Sequence, residues 1–341
     1  MKIAIVGGGL IGTERIEAIK RLADDDRSIE LTWVVDPSES ARAHAEAKYQ
    51  VRTSASLDEA ISSRPDWIVV CTPHDVAPAV AIRALESGAN VLIEKPLGRT
   101  LAECDSIVAK ISPKTKLNVG FNYRFYPGIE AAILDAKAGR FGRLISVNVV
   151  LGHGNSPGMV RSWKLDPVRC GGGCLIDPGV HALDLVLLLA TGELSVNAAC
   201  SWAGFWKTGI EEEAHLLLTD SQQVIFNIQL SLNRWRSVFR LEINGTDGYG
   251  WVEGRGRSYG PQSYRVGRRW GWQSHGSQAE SELVVVNRDP GNDSFFRETA
   301  MVLGLPQGPS AAENGQCLAP CYCAEARRSM QLLDQLKKAL S

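Results

Sequence analysis

A glycine pattern near the start of the chain constrains its fold more than any other feature of the sequence. The apolar, β-branched run from Lys2 to Val6 leads into glycines spaced G-x-G-x-x-G. Such a run is typical of a buried parallel strand, and the glycines then open a helix. In a dinucleotide site, glycines at this spacing allow a tight turn, leave room for the pyrophosphate at the helix N-terminus, and permit close helix–strand packing. The predicted cofactor contacts in this loop are Gly7, Gly9, Leu10, Ile11 and Gly12.

The second predicted strand favours NAD as the cofactor. An apolar run, residues 31–35, ends in Asp36, whose carboxylate would bind the ribose hydroxyls. The same carboxylate would repel the 2′-phosphate of NADP, and Pro37 and Ser38 offer no arginine to bind that phosphate. A glycine-rich turn without a ligand is the alternative. The loop lacks the G-K-[ST] ending of a P-loop, which excludes a nucleotide-hydrolase loop.

Strands and helices alternate as far as residue 122. Further strands are predicted at 65–71, 91–94 and 117–121, with helices at 38–48, 57–62, 77–87 and 101–110. This alternation indicates βαβ units and therefore a doubly wound parallel sheet, a Rossmann domain over residues 1–122.

From residue 123 the pattern changes to that of an α+β domain with a large, mainly antiparallel sheet. Strands are predicted at 144–151, 196–202, 213–218, 223–230, 239–244, 250–253 and 283–286. Helices are predicted at 127–138, 178–189, 294–303 and 321–340, and a long loop at 254–276. We expect residues 123–341 to form this second domain.

Composition narrows the classes of partner. The 341 residues carry a net charge of −1, which gives no electrostatic case for nucleic acid or an anionic membrane. No apolar run approaches the roughly 20 residues needed to span a bilayer. Because the chain begins with a core strand, we expect no signal peptide and a cytoplasmic protein. Cys317, Cys321 and Cys323 fit no standard zinc spacing, so no metal is predicted.

Polar residues follow the carboxyl ends of the predicted parallel strands, where ligands of open α/β sheets bind. Lys95 follows a buried strand and precedes a proline, which restricts its backbone. Its ammonium would face the cofactor crevice and bind a hydroxyl or carbonyl oxygen; an ion pair with Glu94 is the alternative. The cofactor contacts predicted at these ends are Cys71, Thr72, Pro73, His74, Glu94, Lys95 and Asn122.

A second constellation contains Asp177, His181 and Asp184 on or beside an apolar helix. Since that helix is apolar almost all round, His181 and Asp184 should be buried or lie in a cleft. Histidine suits a general base near neutral pH. Three alternatives remain: Asp177 as the helix N-cap with Pro178 at the first helical position, a core histidine, and an Asp/His/Asp metal site.

Four further motifs follow the glycine loop, and together they resemble the glucose–fructose oxidoreductase / inositol dehydrogenase (Gfo/Idh/MocA) family. They are Cys71-Thr-Pro73, Glu94-Lys-Pro96, Gly120-Phe-Asn-Tyr-Arg124, and Gly171-Gly-Gly with Asp177, His181 and Asp184. The resemblance implies that a nicotinamide cofactor oxidises or reduces a sugar, polyol or nucleotide sugar. It also implies a homodimer or homotetramer formed through the C-terminal sheet.

The resemblance also implies roles for individual residues. Lys95 would bind and polarise the reacting oxygen, His181 would act as general acid/base, and Asp177 would help to hold the substrate and His181. Arg124 and Trp163 would add substrate contacts. A narrower similarity to members of surface-polysaccharide and nucleotide-sugar metabolism suggests phosphate binding or ring stacking, with solvated or interface arginines and core tryptophans as the alternative. The residues concerned are Arg161, Trp163, Arg234, Arg236 and Arg257.

Two other functions are compatible with these motifs. One is an NAD-dependent glycosidase or lyase, which oxidises a sugar transiently and then returns the hydride. The other is a non-catalytic NAD-binding regulator. Net accumulation of NADH with substrate would separate the first from a dehydrogenase, and the presence of Lys95, Asp177 and His181 argues against the second.

Overall fold

Two β-sheets organise the chain in a computed structural model that describes residues 1–268, 282–287, 293–305 and 317–340. The described residues divide into two units. The first unit contains residues 1–122, 294–305 and 320–330, and the second contains residues 123–268, 282–287, 293, 317–319 and 331–340. None of the described helices combines the length and the hydrophobicity that a bilayer crossing needs.

The first unit is built on a parallel sheet. Its strands are β1 (Lys2–Val6), β2 (Glu30–Val35), β3 (Arg52–Ser54), β4 (Trp67–Val70), β5 (Asn90–Glu94) and β6 (Leu117–Gly120). They lie in the order β6-β5-β4-β1-β2-β3, and a late strand, Cys321–Tyr322, pairs antiparallel with β6. The helices between them are α1 (Leu10–Asp25), α2 (Glu39–Tyr49), α3 (Leu57–Ser62), α4 (Ala77–Glu86) and α5 (Leu101–Val108). The predicted doubly wound parallel sheet is confirmed.

The core of the first unit includes a helix from much later in the chain. Ile3, Ile5 and Leu92, from the central strands β1 and β5, are at most 1% exposed. Phe296 and Ala300 pack in the same cluster and belong to a helix at Asp293–Val302. The hydrophobic core of the first unit therefore depends on residues far beyond 122.

The second unit is built on a mixed, mainly antiparallel sheet, as predicted. Its strands are β7 (Leu144–Gly152), β8 (Ser195–Trp202), β9 (Glu213–Thr219), β10 (Ile225–Ser231), β11 (Val238–Gly245), β12 (Gly248–Glu253), β13 (Gln262–Arg268) and β14 (Glu282–Asn287). Their order is β14-β13-β12-β11-β7-β10-β9-β8. Among the described strands of this second sheet, only the β7–β10 pair is parallel.

Helices cover one face of this second sheet. They are α6 (Pro127–Lys137), which packs on β11 to β14, and α8 (Gly179–Leu189), which packs on β7 and β10. The short helix α7 (Pro167–Cys170) precedes α8 in the chain. The remaining elements are α9 (Asp293–Val302), β15 (Cys321–Tyr322) and α10 (Cys323–Leu340). Short 3₁₀ helices lie at Asn122–Phe125, Pro157–Arg161, Trp163–Leu165 and Arg257–Tyr259.

The prediction of a loop at 254–276 is wrong for residues 262–268. Residues 262–268 form β13, in which buried Gln262, Tyr264 and Val266 alternate with more exposed neighbours. This is the period-2 pattern of a half-buried strand, which the surrounding glycines and arginines obscure in the sequence. Residues 269–276 of the predicted loop lie outside the described residues.

Candidate active site

The glycine loop after β1 has the shape of an anion cradle. A Cβ on Gly7, whose φ is +101°, would lie 2.5 Å from the Cys71 carbonyl oxygen, and a Cβ on Gly12 would lie 1.9 Å from the Gly7 carbonyl oxygen. A Cβ on Gly9 would meet no protein atom within 4 Å. Helix α1 begins at Leu10, and its first-turn N–H groups, including that of Ile11, have no partner within the helix. The loop therefore fits a pyrophosphate above Gly9.

Asp36 follows β2 and is fixed beside this loop. Its Oδ2 accepts a hydrogen bond from the Gly8 N–H at 2.7 Å, and its Oδ1 accepts one from the Ser38 N–H at 2.8 Å. Each carboxylate oxygen retains a second acceptor position, so the group fits ribose hydroxyls. Arg42 was not singled out from the sequence. Its Nη1 donates to the carbonyl oxygens of Asp36 and Pro37 at 2.8 and 3.0 Å, which places a cation near this carboxylate.

The other predicted cofactor residues gather at one edge of the first sheet. Strands β1, β4, β5 and β6 are parallel, so the residues that follow them meet at their carboxyl ends. Burial raises the pKa of the Cys71 thiol and keeps it protonated. Asn122 is 5% exposed, and its Nδ2 donates to the Ser294 hydroxyl at 2.8 Å. The residues brought to this edge are Cys71, Thr72, Pro73, His74, Glu94, Lys95 and Asn122.

A buried arginine behind this edge was missed by the sequence analysis. Arg15, on α1, is 0% exposed, and its Nε and Nη2 lie 2.8 and 2.6 Å from Glu94 Oε1. Nη2 also lies 2.5 Å from Glu298 Oε2, and Nη1 donates to the Thr299 hydroxyl at 3.0 Å. Burial by itself lowers the pKa of this guanidinium, but Glu94 and Glu298 outweigh burial and raise it above its ordinary value. Arg15 is therefore permanently charged.

In the second unit, the Gly171–Gly173 loop is held by Glu211. Glu211 Oε1 accepts from the N–H groups of Gly173 and Leu175 at 2.8 and 3.2 Å. A Cβ on Gly173 would lie 1.9 Å from the Glu211 carbonyl oxygen, so this position requires glycine. Lys337 Nζ donates to the Gly171 carbonyl oxygen at 2.6 Å. These contacts fix the chain that leads to Asp177.

Asp177 lies outside helix α8 and binds a lysine. The N-cap of α8 is Pro178, so the alternative of Asp177 as N-cap is wrong. The Asp177 Oδ2 lies 3.1 Å from Lys164 Nζ instead. Asp177 raises the pKa of Lys164 above its ordinary value, although burial opposes the shift, so the lysine is a cation. Its Nζ also lies 5.9 Å from the ring centroid of Trp163, so Trp163 and Asp177 are both near one ammonium group.

His181 is buried on α8, as predicted, and stacks on Tyr123. His181 is 5% exposed, and its ring centroid is 3.8 Å from that of Tyr123 with an interplanar angle of 11°. Burial raises the pKa of Tyr123 well above its ordinary value, so the phenol is neutral. Arg255 lies 4.9 Å from the Tyr123 ring centroid and 3.7 Å from that of Tyr259. This aromatic and cationic support of His181 was not visible in the sequence.

Arg124, predicted to contact substrate, lies inside the second unit. Its Nε and Nη2 bind the two carboxylate oxygens of Asp184 at 2.8 and 2.5 Å, and both residues are 2% exposed. Nη1 donates to the Ala319 carbonyl oxygen at 3.2 Å. The bidentate pair holds the middle of α8, one turn beyond His181. Within the described residues, no group of three His, Cys, Asp or Glu side chains has the arrangement of a metal site.

The candidate phosphate-binding arginines are spread over several loops. Arg161 ends the 3₁₀ helix Pro157–Arg161, and Arg257 begins the 3₁₀ helix Arg257–Tyr259; both are exposed. Arg234 is half-buried and Arg236 is exposed, between β10 and β11.

Family models match two stretches of the chain. Residues 1–122 match a model described as "Oxidoreductase family, NAD-binding Rossmann fold", and residues 135–249 match the GFO/IDH/MocA C-terminal domain. The chain belongs to the Gfo/Idh/MocA family. The resemblance drawn from the motifs is thus confirmed, and so is NAD as the cofactor of the first unit.

Individual relatives place the chain within the Gfo/Idh/MocA family only broadly. Levoglucosan dehydrogenase of Pseudarthrobacter phenanthrenivorans is 26% identical over 214 residues, or 59% of this chain and 54% of the relative. Inositol 2-dehydrogenase of Rhizobium meliloti is 27% identical over 205 residues, or 59% of this chain and 58% of the relative. The matched part thus spans little more than half the length of these relatives. A solved levoglucosan dehydrogenase in complex with NADH shares the fold, with a TM-score of 0.79 at 17% identity over 99% of this chain and 96% of that chain.

Proposed function

We propose that the protein is an NAD-dependent dehydrogenase or reductase of a sugar, polyol or nucleotide sugar. The observation that carries the proposal is a buried His181, stacked on Tyr123 and close in sequence to an ionised Asp177–Lys164 pair, in a chain whose first unit is an NAD-binding fold. Sugar and cyclitol dehydrogenases among the matched relatives support the substrate class.

In this proposal the residues of the chain handle the proton and the developing charge. NAD, when bound, supplies the nicotinamide ring that accepts or gives the hydride. In the oxidative direction, His181 takes the hydroxyl proton of the substrate as general base. The Lys95 ammonium stabilises the negative charge that develops on the reacting oxygen. Asp177 helps to hold the substrate and His181.

Two supports give His181 a fixed orientation in this proposal. The stack on Tyr123 restrains the plane of the imidazole ring, and the buried Arg124–Asp184 pair restrains helix α8 beneath it. The ion pair with Lys164 holds the Asp177 carboxylate in place rather than leaving it to turn to solvent. We assign Arg124 this supporting role, while Trp163 beside Lys164 supplies apolar surface for a sugar ring.

The test combines cofactor binding with turnover. A thermal-shift screen of sugars, inositols and nucleotide sugars with NAD present identifies substrates by the rise in apparent stability. With a substrate in hand, His181→Asn should retain NADH binding, and both Lys95→Met and His181→Asn should lose at least about a hundredfold in kcat. Lys110→Met, an exposed lysine of the same unit as Lys95 paired with Glu86, is the matched control.

The outcomes separate the rival functions. Net NADH accumulation with substrate supports the dehydrogenase, whereas product formation without net NADH indicates the glycosidase or lyase. If the Lys95 and His181 variants keep near-normal turnover, the proposed roles are wrong. Binding of NAD without turnover of any compound in the screen would support the regulator instead.

We also propose that two copies associate through the exposed face of the second sheet. On strands β9, β10 and β12, that face carries Leu217, Ile225 and Trp251, which are 36%, 40% and 37% exposed. Leu217 and Ile225 lie on the neighbouring strands β9 and β10, and exposed apolar side chains of this kind are typical of an interface. Leu217→Asp should shift the protein towards monomer in sedimentation velocity, while Tyr322→Asp, on an exposed position of the first sheet, should not. An unchanged sedimentation coefficient for Leu217→Asp would contradict the proposed interface.

A further inference from the structure

The first unit contains a buried charge network that the proposed chemistry does not use. Arg15 lies three residues after Gly12 on α1, and every nitrogen of its guanidinium contacts an acceptor from another element. A buried charge is costly unless it is paired and hydrogen-bonded. A methionine or leucine would fill a similar volume without that cost, so packing alone does not explain an arginine at this position.

The geometry of the network points to Glu94. Both Arg15 contacts with Glu94 are made to a single oxygen, Oε1, while the Glu94 side chain remains 12% exposed. The second oxygen, Oε2, therefore lies outside the ion pair. A Cβ on Gly120, at the end of β6, would lie 2.8 Å from Arg15 Nη2 and 2.9 Å from Glu94 Oε1. Glycine at this position leaves the space in which the pair forms.

Glu298 completes the network from the other side. Its Oε2 lies 2.5 Å from Arg15 Nη2, and its neighbour Thr299 accepts a hydrogen bond from Nη1. Because Glu298 and Thr299 bind the far side of the guanidinium, the arginine cannot swing away from Glu94 without leaving a buried carboxylate behind. Helix α9 thus fixes the arginine, and the arginine fixes Glu94.

The position of Glu94 in the fold identifies what its second oxygen would bind. A fold of this type has two mononucleotide-binding halves, and Asp36, after β2, serves the adenosine ribose. Glu94 ends β5, in the other half, directly before Lys95. A carboxylate at the end of a strand in that half is the counterpart of Asp36, and the ligand expected there is the ribose that carries nicotinamide.

We propose that Arg15 is a positioning residue for the nicotinamide half of NAD. With Glu298 it holds Glu94 so that Oε2 accepts a hydrogen bond from the nicotinamide ribose, and it steadies the main chain that presents Lys95. The inference rests on the cofactor and on the Lys95 role given under the proposed function. It adds two residues, Arg15 and Glu298, to the part of the chain that determines how the cofactor binds.

The competing explanation is that the network only joins α1 to α9. Arg21 provides a matched control, because it lies on the same helix and its guanidinium carbon is 3.9 Å from the ring centroid of Phe296 on α9. Removing Arg21 weakens the contact between the two helices and leaves Glu94 alone. A purely structural role predicts similar effects from Arg15 and Arg21.

The test compares two ligands on three variants of the full chain. The variants are Arg15→Lys, which keeps the charge but loses the fork, Glu298→Gln, which keeps the shape, and Arg21→Met. NADH probes both halves of the site, and ADP probes only the adenosine half and the pyrophosphate loop. Dissociation constants come from fluorescence or calorimetry, and thermal unfolding is recorded alongside, so no substrate is needed.

Arg15→Lys should weaken NADH binding by about tenfold or more, the loss of one charge-assisted contact, while ADP binding changes by less than about twofold. Glu298→Gln should give a smaller loss with the same selectivity for NADH, and Arg21→Met should change neither constant. Equal losses of NADH and ADP affinity, or an unfolding shift with both affinities unchanged, would overturn the proposal. Failure to find a sugar substrate would refute the proposed function and leave this binding result standing.

Discussion

Two substitutions in the glycine loop should have different consequences: Gly12→Ala should reduce stability, and Gly9→Ala should reduce cofactor binding. A Cβ on Gly12 would lie 1.9 Å from the Gly7 carbonyl oxygen, whereas an ordinary carbon–oxygen contact is about 3.3 Å. In Gly12→Ala the start of α1 and the end of β1 must therefore separate by about 1.4 Å. A Cβ on Gly9 would meet no protein atom within 4 Å, and Gly9 has φ −72° and ψ −163°, an extended conformation open to alanine.

The magnitudes follow from these distances. Overpacking of this kind typically costs about 1–3 kcal/mol. At about 2–4 °C per kcal/mol for a protein of this size class, Gly12→Ala should lower the Tm by about 2–12 °C. Gly9→Ala should leave the Tm within about 1 °C, because it adds no clash within the protein. It should nevertheless weaken NADH binding by about tenfold or more, since its methyl group would occupy the space above the loop.

Differential scanning fluorimetry without ligand measures the first effect, and NADH fluorescence titration measures the second. Gly88→Ala is unsuitable as a control because Gly88 has φ +88°, whereas Ala79→Gly, at an exposed position of α4, tests ordinary helix propensity. If Gly9→Ala binds NADH normally, the pyrophosphate does not lie above Gly9. If Gly12→Ala is as stable as the parent protein, the Gly7 carbonyl oxygen does not exclude a methyl group at position 12.

Three further predictions concern single charged groups. Asp36→Asn should lower the KM for NADP by about tenfold relative to that for NAD, because it removes the repulsion of the 2′-phosphate while Arg42 remains nearby. Steady-state kinetics with both cofactors measure this ratio, and an unchanged ratio would contradict the prediction. Because the pKa of Lys164 is raised in the folded protein, its stabilisation is fully present below its unfolded pKa of about 10.4 and is lost as pH rises through the folded pKa. As pH rises above about 10.4, the free energy of unfolding measured in urea titrations should therefore fall less in Lys164→Met than in the parent protein. If the two proteins show the same dependence on pH, the reasoning is wrong. Arg124→Met should cost about 3–5 kcal/mol in the same assay, because it removes the guanidinium that binds the buried Asp184 carboxylate. The double variant Arg124→Met, Asp184→Leu should recover part of the loss.

The sequence was sufficient for the architecture because periodicity and turn chemistry are local signals. The alternation of strands and helices up to residue 122 predicted the parallel sheet, and the later run of strands predicted the antiparallel one. Strand β13 was missed because Gly254, Gly256 and Gly260 precede it and arginines interrupt it, so its alternating Gln262, Tyr264 and Val266 read as part of a loop. The short strand β15 was missed because it is only two residues long.

Some site residues can be recognised from local sequence motifs, and others only from their partners in the folded structure. Lys95 and His181 belong to short motifs whose position at the end of a strand or on a helix can be read from the sequence. Lys164 and Arg15 carry no such motif, and their importance appears only with their partners, Asp177 and Glu94. Asp177 was open to a capping role because a proline follows it; its actual partner, 13 residues earlier, depends on how the glycine loop folds back.

The origin of Glu298 in a distant part of the chain has a consequence for synthesis. Arg15 emerges from the ribosome 283 residues before Glu298, and the core around Ile3 and Leu92 lacks Phe296 and Ala300 until the same helix has been made. A nascent chain of 122 residues would thus contain all the parallel strands β1–β6. Its Arg15 guanidinium would be paired with Glu94 but not yet with Glu298. We expect this first part of the chain to remain incompletely folded until helix α9 has been synthesised, so a fragment of residues 1–122 should not be obtainable in stable form.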